Sequence, residues 1–284
     1  MRSCIASFYL SVLAGLVAAD AALPPSLQAS RGPVAPAEPF SRPSLGVADA
    51  RRDTQNAGAP PMREDSADDP DLLYRRREDL ASARRAAGIW QQRLAGRPDD
   101  FEAAWKLARA YYWLGHHGPE TGRRRDLEAG IAAARVAAAV RPDRPEGHFW
   151  LAATMGGLAE SAGVLVGLTY RGAIKKALEK VLVLDPAYLG GAADRALGRW
   201  YYKVPRLFGG NPERAIEHLR RALTYDPDST IGHYFLAEAL LRLGRRDEAR
   251  AALHRVLDAP FDPDFTPEDR EWKARARALL EELR

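Results

Sequence analysis

The sequence has little cysteine: Cys4, near the amino terminus, is its single one. One cysteine can form neither a disulfide framework nor a cysteine-based metal site within the chain. The folded part must therefore be stabilised by packing alone. This is compatible with an exported protein that does not depend on disulfides.

Neither the basic nor the acidic residues are concentrated in one part of the chain. The chain has 42 lysine and arginine residues against 38 acidic ones, which leaves a formal charge of +4. The densest basic runs are the arginine triplets at 75–77 and 123–125, and such runs are usually solvated helix faces or loops. A nucleic-acid-binding protein would show a basic stripe with interleaved aromatic residues. We therefore predict no nucleic-acid partner.

A long apolar run is missing except at the amino terminus. Arg2 is followed by a mostly apolar stretch at 5–19 and by the small-x-small pattern at 19–21. This pattern is typical of a secretory signal peptide, so we predict a signal at 1–21, an exported protein, periplasmic or secreted, and no transmembrane span in the mature form. An uncleaved anchor is the alternative. Cys4 precedes the apolar run and cannot be a lipid acceptor.

Residues 22–70 have almost no hydrophobic periodicity and are rich in Pro, Ala, Ser, Arg and Asp. Such a composition cannot bury enough apolar surface to form a core. We predict a disordered linker here, followed by one helical domain at 71–284.

Helical periodicity is clearest at 197–227. Asn211 can cap a helix, Pro212 suits its first position, and Pro227 ends it. Between them the apolar residues form a single stripe at helical spacing. These residues are Ala215, Ile216, Leu219, Ala222 and Leu223.

The same helix–proline–helix punctuation recurs along the chain, which is the pattern of a solenoid. The prolines concerned are Pro98, Pro142, Pro186, Pro227 and Pro260. The last interval is close to the ~34 residues of a tetratricopeptide repeat, whereas the first three are longer. We therefore predict insertions inside three repeats, at 116–125, 156–172 and 204–210.

The two ends of the domain have their own patterns. Residues 71–96 carry one apolar face, which predicts a single long helix ending at Gly96. Thr266 and Pro267 begin a last helix with one apolar face around Trp272 and one charged face. Such a helix is suited to cover the end of a solenoid.

Because each helix pair exposes an apolar face that only its neighbours can cover, the pairs should stack into a superhelix. The alanine and proline spacing resembles the tetratricopeptide-repeat superfamily over about 71–284. We predict an all-α, tetratricopeptide-like α-α superhelix, a solenoid with intra-repeat insertions.

Two subfamilies share short phrases with this chain. FGGNPERAIEHLRRAL resembles the T component of TRAP transporters, which are exported repeat proteins around a ligand-sized pore. ALEKVLVLDP and LGRWYYKV resemble the regulators of microtubule dynamics. The T components are lipoproteins, whereas this chain lacks the lipid-acceptor cysteine. The predicted signal peptide argues against a microtubule role.

Two segments are candidates for ligand or partner binding. The first is the aromatic cluster of Trp200, Tyr201, Tyr202 and Phe208 beside the third insertion; consecutive aromatic residues on a helix cannot all face one core. The second is the glycine-rich segment 156–172, which is flanked by Met155 and contains Tyr170. The alternative in both cases is that these residues pack within the fold.

The histidines give only weak signals. His116 and His117 lack the neighbouring carboxylates of a metal site, so we predict a solvated loop. His148 and His233 occupy equivalent positions in two repeats, which favours a packing role.

No catalytic motif is present, so we predict a non-enzymatic binding protein without metal or cofactor. The first hypothesis is a solute-binding accessory resembling the T component, holding a small apolar or organic ligand. The alternative is a scaffold that docks a peptide or partner helix in its concave groove. Ligand capture predicts a closed apolar channel lined by 156–172 and 200–210, whereas scaffolding predicts an open groove with polar, arginine- and asparagine-rich inner helices.

Overall fold

The computed structural model describes residues 69–284, and every regular element within them is a helix. The predicted signal peptide and all but the last two residues of the predicted linker lie outside the described residues. The helices are α1 (Pro70–Arg75), α2 (Leu80–Gly96), α3 (Phe101–His117), α4 (Glu120–Val140), α5 (Pro145–Ser161), α6 (Val164–Leu184), α7 (Tyr188–Lys203), α8 (Pro212–Tyr225), α9 (Thr230–Arg242), α10 (Arg246–Asp258) and α11 (Thr266–Glu282). The all-α fold is confirmed.

Helices that follow one another in the chain pack against one another throughout. We call α3, α5, α7, α9 and α11 the A helices, and α2, α4, α6, α8 and α10 the B helices. Each A helix also contacts the next A helix along the stack. Because neighbours in a curved stack approach most closely on its inner side, the A helices form the concave face.

The five repeat-boundary prolines were predicted correctly. Each lies between a B helix and the next A helix, where the chain passes from one hairpin to the next. Proline disfavours helical backbone at the preceding residue, which explains why each B helix ends just before it.

Two of the predicted insertions are largely helical in the structure: 116–125, where a loop was expected, and 156–172, where a core-filling turn or short helix was expected. Residues 116–125 are helical except for a short break at Gly118 and Pro119, and α4 begins at Glu120. Residues 156–172 are the end of α5 and the start of α6, joined at Ala162 and Gly163. The additional residues therefore lengthen helices, and Leu165 is 69% exposed, so the segment does not fill the core throughout.

The single helix predicted at 71–96 is in fact two. The Asp79 carboxylate accepts hydrogen bonds from the backbone N–H groups of Ala81 and Ser82, both at 3.1 Å, and so begins α2. Such a cap satisfies N–H groups that a continuous helix would bond to its own carbonyls. The turn between α1 and α2 contains Arg77, which contacts α11.

The third predicted insertion, 204–210, is a loop. It contains a short 3₁₀ helix at Arg206–Phe208 and leads directly into α8. The Asn211 side chain accepts a hydrogen bond from the backbone N–H of Arg214 at 2.8 Å, which confirms the predicted cap.

The hydrophobic core runs along the stack in two overlapping parts. One lies among α1 to α5 around the fully buried Trp90, and the other extends from α4 to α11. Among residues 69–284, none of the helices combines the length and the apolar character needed to cross a membrane.

Candidate binding surface on the concave face

The A helices are linked by contacts between aromatic and arginine side chains, which we call the concave belt. It runs from α3 to α11 and gives the inner layer rigid, partly apolar side chains with polar edges. Measured between ring centroids, or from the guanidinium carbon to the ring centroid, the contacts are Tyr112–Trp150 (5.8 Å), Phe149–Tyr188 (5.5 Å), Arg199–Phe235 (4.5 Å), Tyr234–Trp272 (5.1 Å) and Phe235–Trp272 (5.2 Å).

An ion-pair ladder supports the belt at the carboxyl ends of three A helices. Arg199 of α7 lies 3.2 Å from the Glu160 carboxylate of α5 and 2.6 Å from the Glu238 carboxylate of α9. The Arg199 side chain is only 20% exposed, so water screens these pairs less than it would on an open surface. The ladder fixes the relative positions of α5, α7 and α9.

Arg195 is a half-buried cation without an ion-pair partner among residues 69–284. Its guanidinium donates only long hydrogen bonds, to the carbonyl oxygens of Gly190 at 3.3 Å and Leu189 at 3.5 Å. These carbonyls belong to three successive left-handed residues, 189–191, at the start of α7. Burial lowers the pKa of Arg195, partly offset by the negative charge of Asp226. An anionic group of a ligand would stabilise this cation.

Three tyrosines lie in this region: Tyr74 is buried, whereas Tyr112 and Tyr188 are half-buried. Burial raises the pKa of Tyr74 to about 12, against the opposing effect of Arg109 and Arg77. Burial is also the main cause of the raised pKa values of Tyr112 and Tyr188. The half-buried Tyr112 and Tyr188 thus place neutral hydroxyl groups on two A helices, in an environment less polar than bulk water.

The two ends of the described chain meet at Arg77, and we call this the closure contact. The Arg77 guanidinium donates to both carboxylate oxygens of Glu268 on α11, at 3.0 and 2.5 Å, and to the carbonyl oxygen of Asp264 at 2.7 Å. Its own carbonyl oxygen accepts a hydrogen bond from the Trp113 indole at 2.7 Å. With the Arg77 side chain 4% exposed, the turn between α1 and α2 is joined firmly to α11.

Two more exposed pairs flank the closure contact. Arg270 of α11 lies 2.8 Å from the Glu78 carboxylate, and His117 of α3 lies 3.4 Å from that of Glu271. The hydrogen bond from His117 lowers the pKa of Glu271. The concave face is therefore closed between its first and last helices.

His116 favours its neutral form in the fold. Its ring lies 4.2 Å from the Tyr112 ring, and its Nδ1 is 2.8 Å from the Tyr112 carbonyl oxygen. His116 is an exposed residue, yet the protein atoms that surround its ring lower its pKa below the ordinary 6.5, against the opposing effects of the Tyr112 carbonyl, Glu160 and Glu271.

Lowering the pH should therefore destabilise the domain through His116. Below about pH 6.5 the unfolded chain binds this proton more readily than the folded one, so stability falls as the pH drops towards the folded pKa. Urea unfolding at about pH 7.5 and about pH 5.5 gives the decrease in the free energy of unfolding between the two pH values. This decrease should be smaller in His116→Gln than in the parent. An equal decrease in His116→Gln and the parent would show that other groups cause it.

The structure places three of the predicted binding residues inside the fold. Met155 and Trp200 are 2% and 9% exposed, and Tyr170 packs against the core from α6. The Trp200 indole donates to the carbonyl oxygen of Arg171 at 2.9 Å. For these three, packing is the role that the contacts show, and a binding role stays a prediction.

The other three lie around the third insertion. Tyr201 is buried and stacks on His218 at 5.2 Å, whereas Tyr202 is half-buried and Phe208 is 40% exposed. Tyr201 and Tyr202 line a pocket of about 250 Å³ beside the loop. The aromatic cluster thus divides between the core and an accessible surface.

The histidine predictions had mixed outcomes. His148 and His233 each place Nε2 near the carbonyl oxygen of the proline six residues earlier, at 3.1 and 2.8 Å, which confirms their equivalence. His116 and His117 are not in a loop, because α3 continues through them. No cluster suited to hold a metal ion occurs within 69–284.

Sequence reasoning missed Arg77 and Arg195. Arg77 belongs to an arginine triplet that was interpreted as solvated, and its partner Glu268 is 191 residues away. Arg195 lies in an ordinary helical pattern.

Comparison with solved structures gives the fold. The crystal structure of TTC0263, a thermophilic TPR protein of Thermus thermophilus, matches with a TM-score of 0.57 and 23% identity over 74% of this chain and 97% of that chain. The crystal structure of MamA is more distant, with a TM-score of 0.44 and 18% identity over 70% of this chain and 95% of that chain. No curated protein sequence matches this chain significantly.

One family model matches residues 71–284, the whole predicted helical domain. It describes Regulator of microtubule dynamics protein 1-3, the second of the two subfamilies that the sequence resembles. The resemblance to the TRAP T component is not supported by this match. The chain belongs to the family of regulators of microtubule dynamics and has the tetratricopeptide-type repeat fold.

Proposed function

We propose that this domain is a protein-interaction scaffold that holds an extended peptide segment of a partner against its concave face. The observation that carries the proposal is the concave belt, which presents aromatic and arginine side chains from successive A helices. Such side chains dominate the binding energy of many interfaces, because they combine large contact area with directed polar groups.

The lining of this face favours a peptide over a small apolar solute. Ligand capture predicts an apolar channel walled by 156–172 and 200–210. The A helices instead contribute charged side chains such as Arg195, Arg199 and Glu238. The pocket of about 250 Å³ adjoins 201–212 but not 156–172.

The closure contact differs from the open groove expected of a scaffold, but it preorganises the concave face. Because Arg77 and Glu268 join the turn between α1 and α2 to α11, the A helices need little rearrangement to bind a partner. A preorganised surface loses less conformational entropy on binding, so more of its contact energy contributes to affinity. The signal peptide predicted at 1–21 would place that partner in an exported compartment.

Selection of short random peptides on the full-length protein tests the proposal. Peptides that bind should lose affinity by about tenfold in Arg195→Ala, because a peptide anion would lose a charge-assisted hydrogen bond. Fluorescence anisotropy with a labelled selected peptide measures this loss. The matched control is Arg255→Ala, which removes an exposed arginine of B helix α10 and should leave affinity unchanged.

Two results would contradict the proposal. One is that selection yields no peptide that binds the folded protein. The other is that peptide affinity responds to Arg255→Ala and not to Arg195→Ala, which would place the binding surface on the convex side.

A further inference from the structure

We propose that the loop 204–210, together with the ends of α7 and α9, forms a subsite that binds a carboxylate of the partner peptide through Arg242. We call this subsite the loop pocket. The inference rests on the proposed scaffold function and names the chemistry of the segment that the scaffold recognises.

The loop pocket is a cavity of about 250 Å³, the volume of one or two amino-acid side chains. One wall comes from the end of α7, one from the loop and the start of α8, and one from the end of α9. The lining residues are Tyr201, Tyr202, Val204, Pro205, Arg206, Gly210, Asn211, Pro212 and Arg242.

The charges of this lining select an anion. It contains two guanidinium groups and no carboxylate. Arg206 is partly neutralised by Glu213 at 3.5 Å, whereas Arg242 has no ion-pair partner among residues 69–284. A carboxylate entering the pocket would therefore meet an uncompensated positive charge.

Arg242 is held in place by Tyr202. Its guanidinium lies 4.9 Å from the centre of the Tyr202 ring and donates a hydrogen bond of 2.5 Å to the Tyr202 carbonyl oxygen. A guanidinium has five N–H donors, so this arrangement leaves donors for the two oxygens of a carboxylate.

The loop itself is built to keep its shape. The backbone N–H of Gly210 donates to the Pro205 carbonyl oxygen at 3.1 Å, and that of Asn211 donates to the Tyr201 carbonyl oxygen at 2.9 Å. A Cβ atom on Gly210 would lie 1.6 Å from the carbonyl oxygen of Val204, so only glycine fits at this position. The pocket is thus formed before a ligand arrives.

Beside the pocket the loop exposes apolar side chains. Leu207 is 87% exposed and Phe208 is 40% exposed, both on the 3₁₀ helix. An acidic peptide residue with an apolar neighbour would satisfy Arg242 and cover part of this surface. The loop pocket therefore fits a peptide in which a carboxylate lies next to a large apolar residue.

Anisotropy titrations of the full-length protein with labelled selected peptides test this assignment. The selected peptides should contain an acidic residue, and changing it to its amide, Asp to Asn or Glu to Gln, should weaken binding about tenfold. Arg242→Ala should lower the affinity for the acidic peptide by the same factor and leave the affinity for the amide peptide unchanged. Arg242→Lys should restore part of the affinity for the acidic peptide. A carboxyl-terminal amide on the peptide shows whether the carboxylate is terminal or a side chain. Arg255→Ala is the control.

The outcomes separate this inference from the function on which it rests. Absence of any peptide binding would contradict both. Peptides that respond to Arg195→Ala, yet neither to loss of their acid nor to Arg242→Ala, would overturn the loop pocket alone. Arg242-dependent binding of phosphatidylserine vesicles, without peptide binding, would overturn the peptide assignment.

Discussion

Replacing Arg77 by alanine is expected to lower the free energy of unfolding by about 3 kcal/mol, the order measured when one partner of a buried ion pair is removed. The Arg77 guanidinium is almost fully buried and satisfies Glu268 and the Asp264 carbonyl at once. It also lies 5.2 Å from the ring centre of Tyr74 and 5.1 Å from that of Trp113. The variant leaves a partly buried carboxylate without its partner and a cavity between two aromatic rings.

Urea unfolding followed by far-ultraviolet circular dichroism measures the effect. Arg77→Lys should recover only part of the stability, because an ammonium group cannot make the same two-pronged contact with Glu268. The matched control is Arg270→Ala, which breaks the neighbouring exposed pair with Glu78 and should cost at most about 1 kcal/mol. Equal effects of Arg77→Ala and Arg270→Ala would contradict the closure contact as described.

The second large effect is expected at Gly147, in the first turn of α5. A Cβ atom added there would lie 2.5 Å from the backbone nitrogen of Ala138 and 2.8 Å from the backbone carbon of Ala137, both on α4. Backbone atoms of a packed helix cannot move aside cheaply. Gly147→Ala should therefore destabilise the domain by about 2 kcal/mol, in the range measured for overpacked cores.

The same helix provides the control. Gly156 also lies within α5, but nothing lies within 4 Å of a Cβ atom added there. Because alanine is the better helix former, Gly156→Ala should stabilise the domain by about 0.5–1 kcal/mol. Thermal or urea unfolding of both variants gives the two signs. A Gly147→Ala variant as stable as the parent would show that α4 and α5 do not approach as closely as the structure has them.

Much of the fold could be predicted because its signals are local. The boundary prolines act on the adjacent residue, and the Asn211 cap acts within three residues. The helix boundaries at 116–125 were mispredicted because His, Gly and Pro suggested a loop. In the structure only Gly118 and Pro119 break the helix, and the arginines that follow are good helix formers.

The concave face could be predicted only in part. Hydrophobic spacing identifies residues that pack, as for Met155 and Trp200, but does not separate core positions from a binding surface. The closure contact joins residues 191 positions apart, and a lone arginine carries no local sign of a distant partner. To predict the closure contact one must know the curvature of the whole stack. That curvature depends on the helix lengths, which were underestimated from the sequence.

Hydrogen–deuterium exchange of the full-length protein, with and without a selected peptide, tests the central claim most directly. We expect peptide binding to slow exchange in the A helices α5, α7 and α9 and in the loop 204–210, and to leave the B helices α8 and α10 unchanged. Slowed exchange confined to the B helices would contradict the concave face as the binding surface.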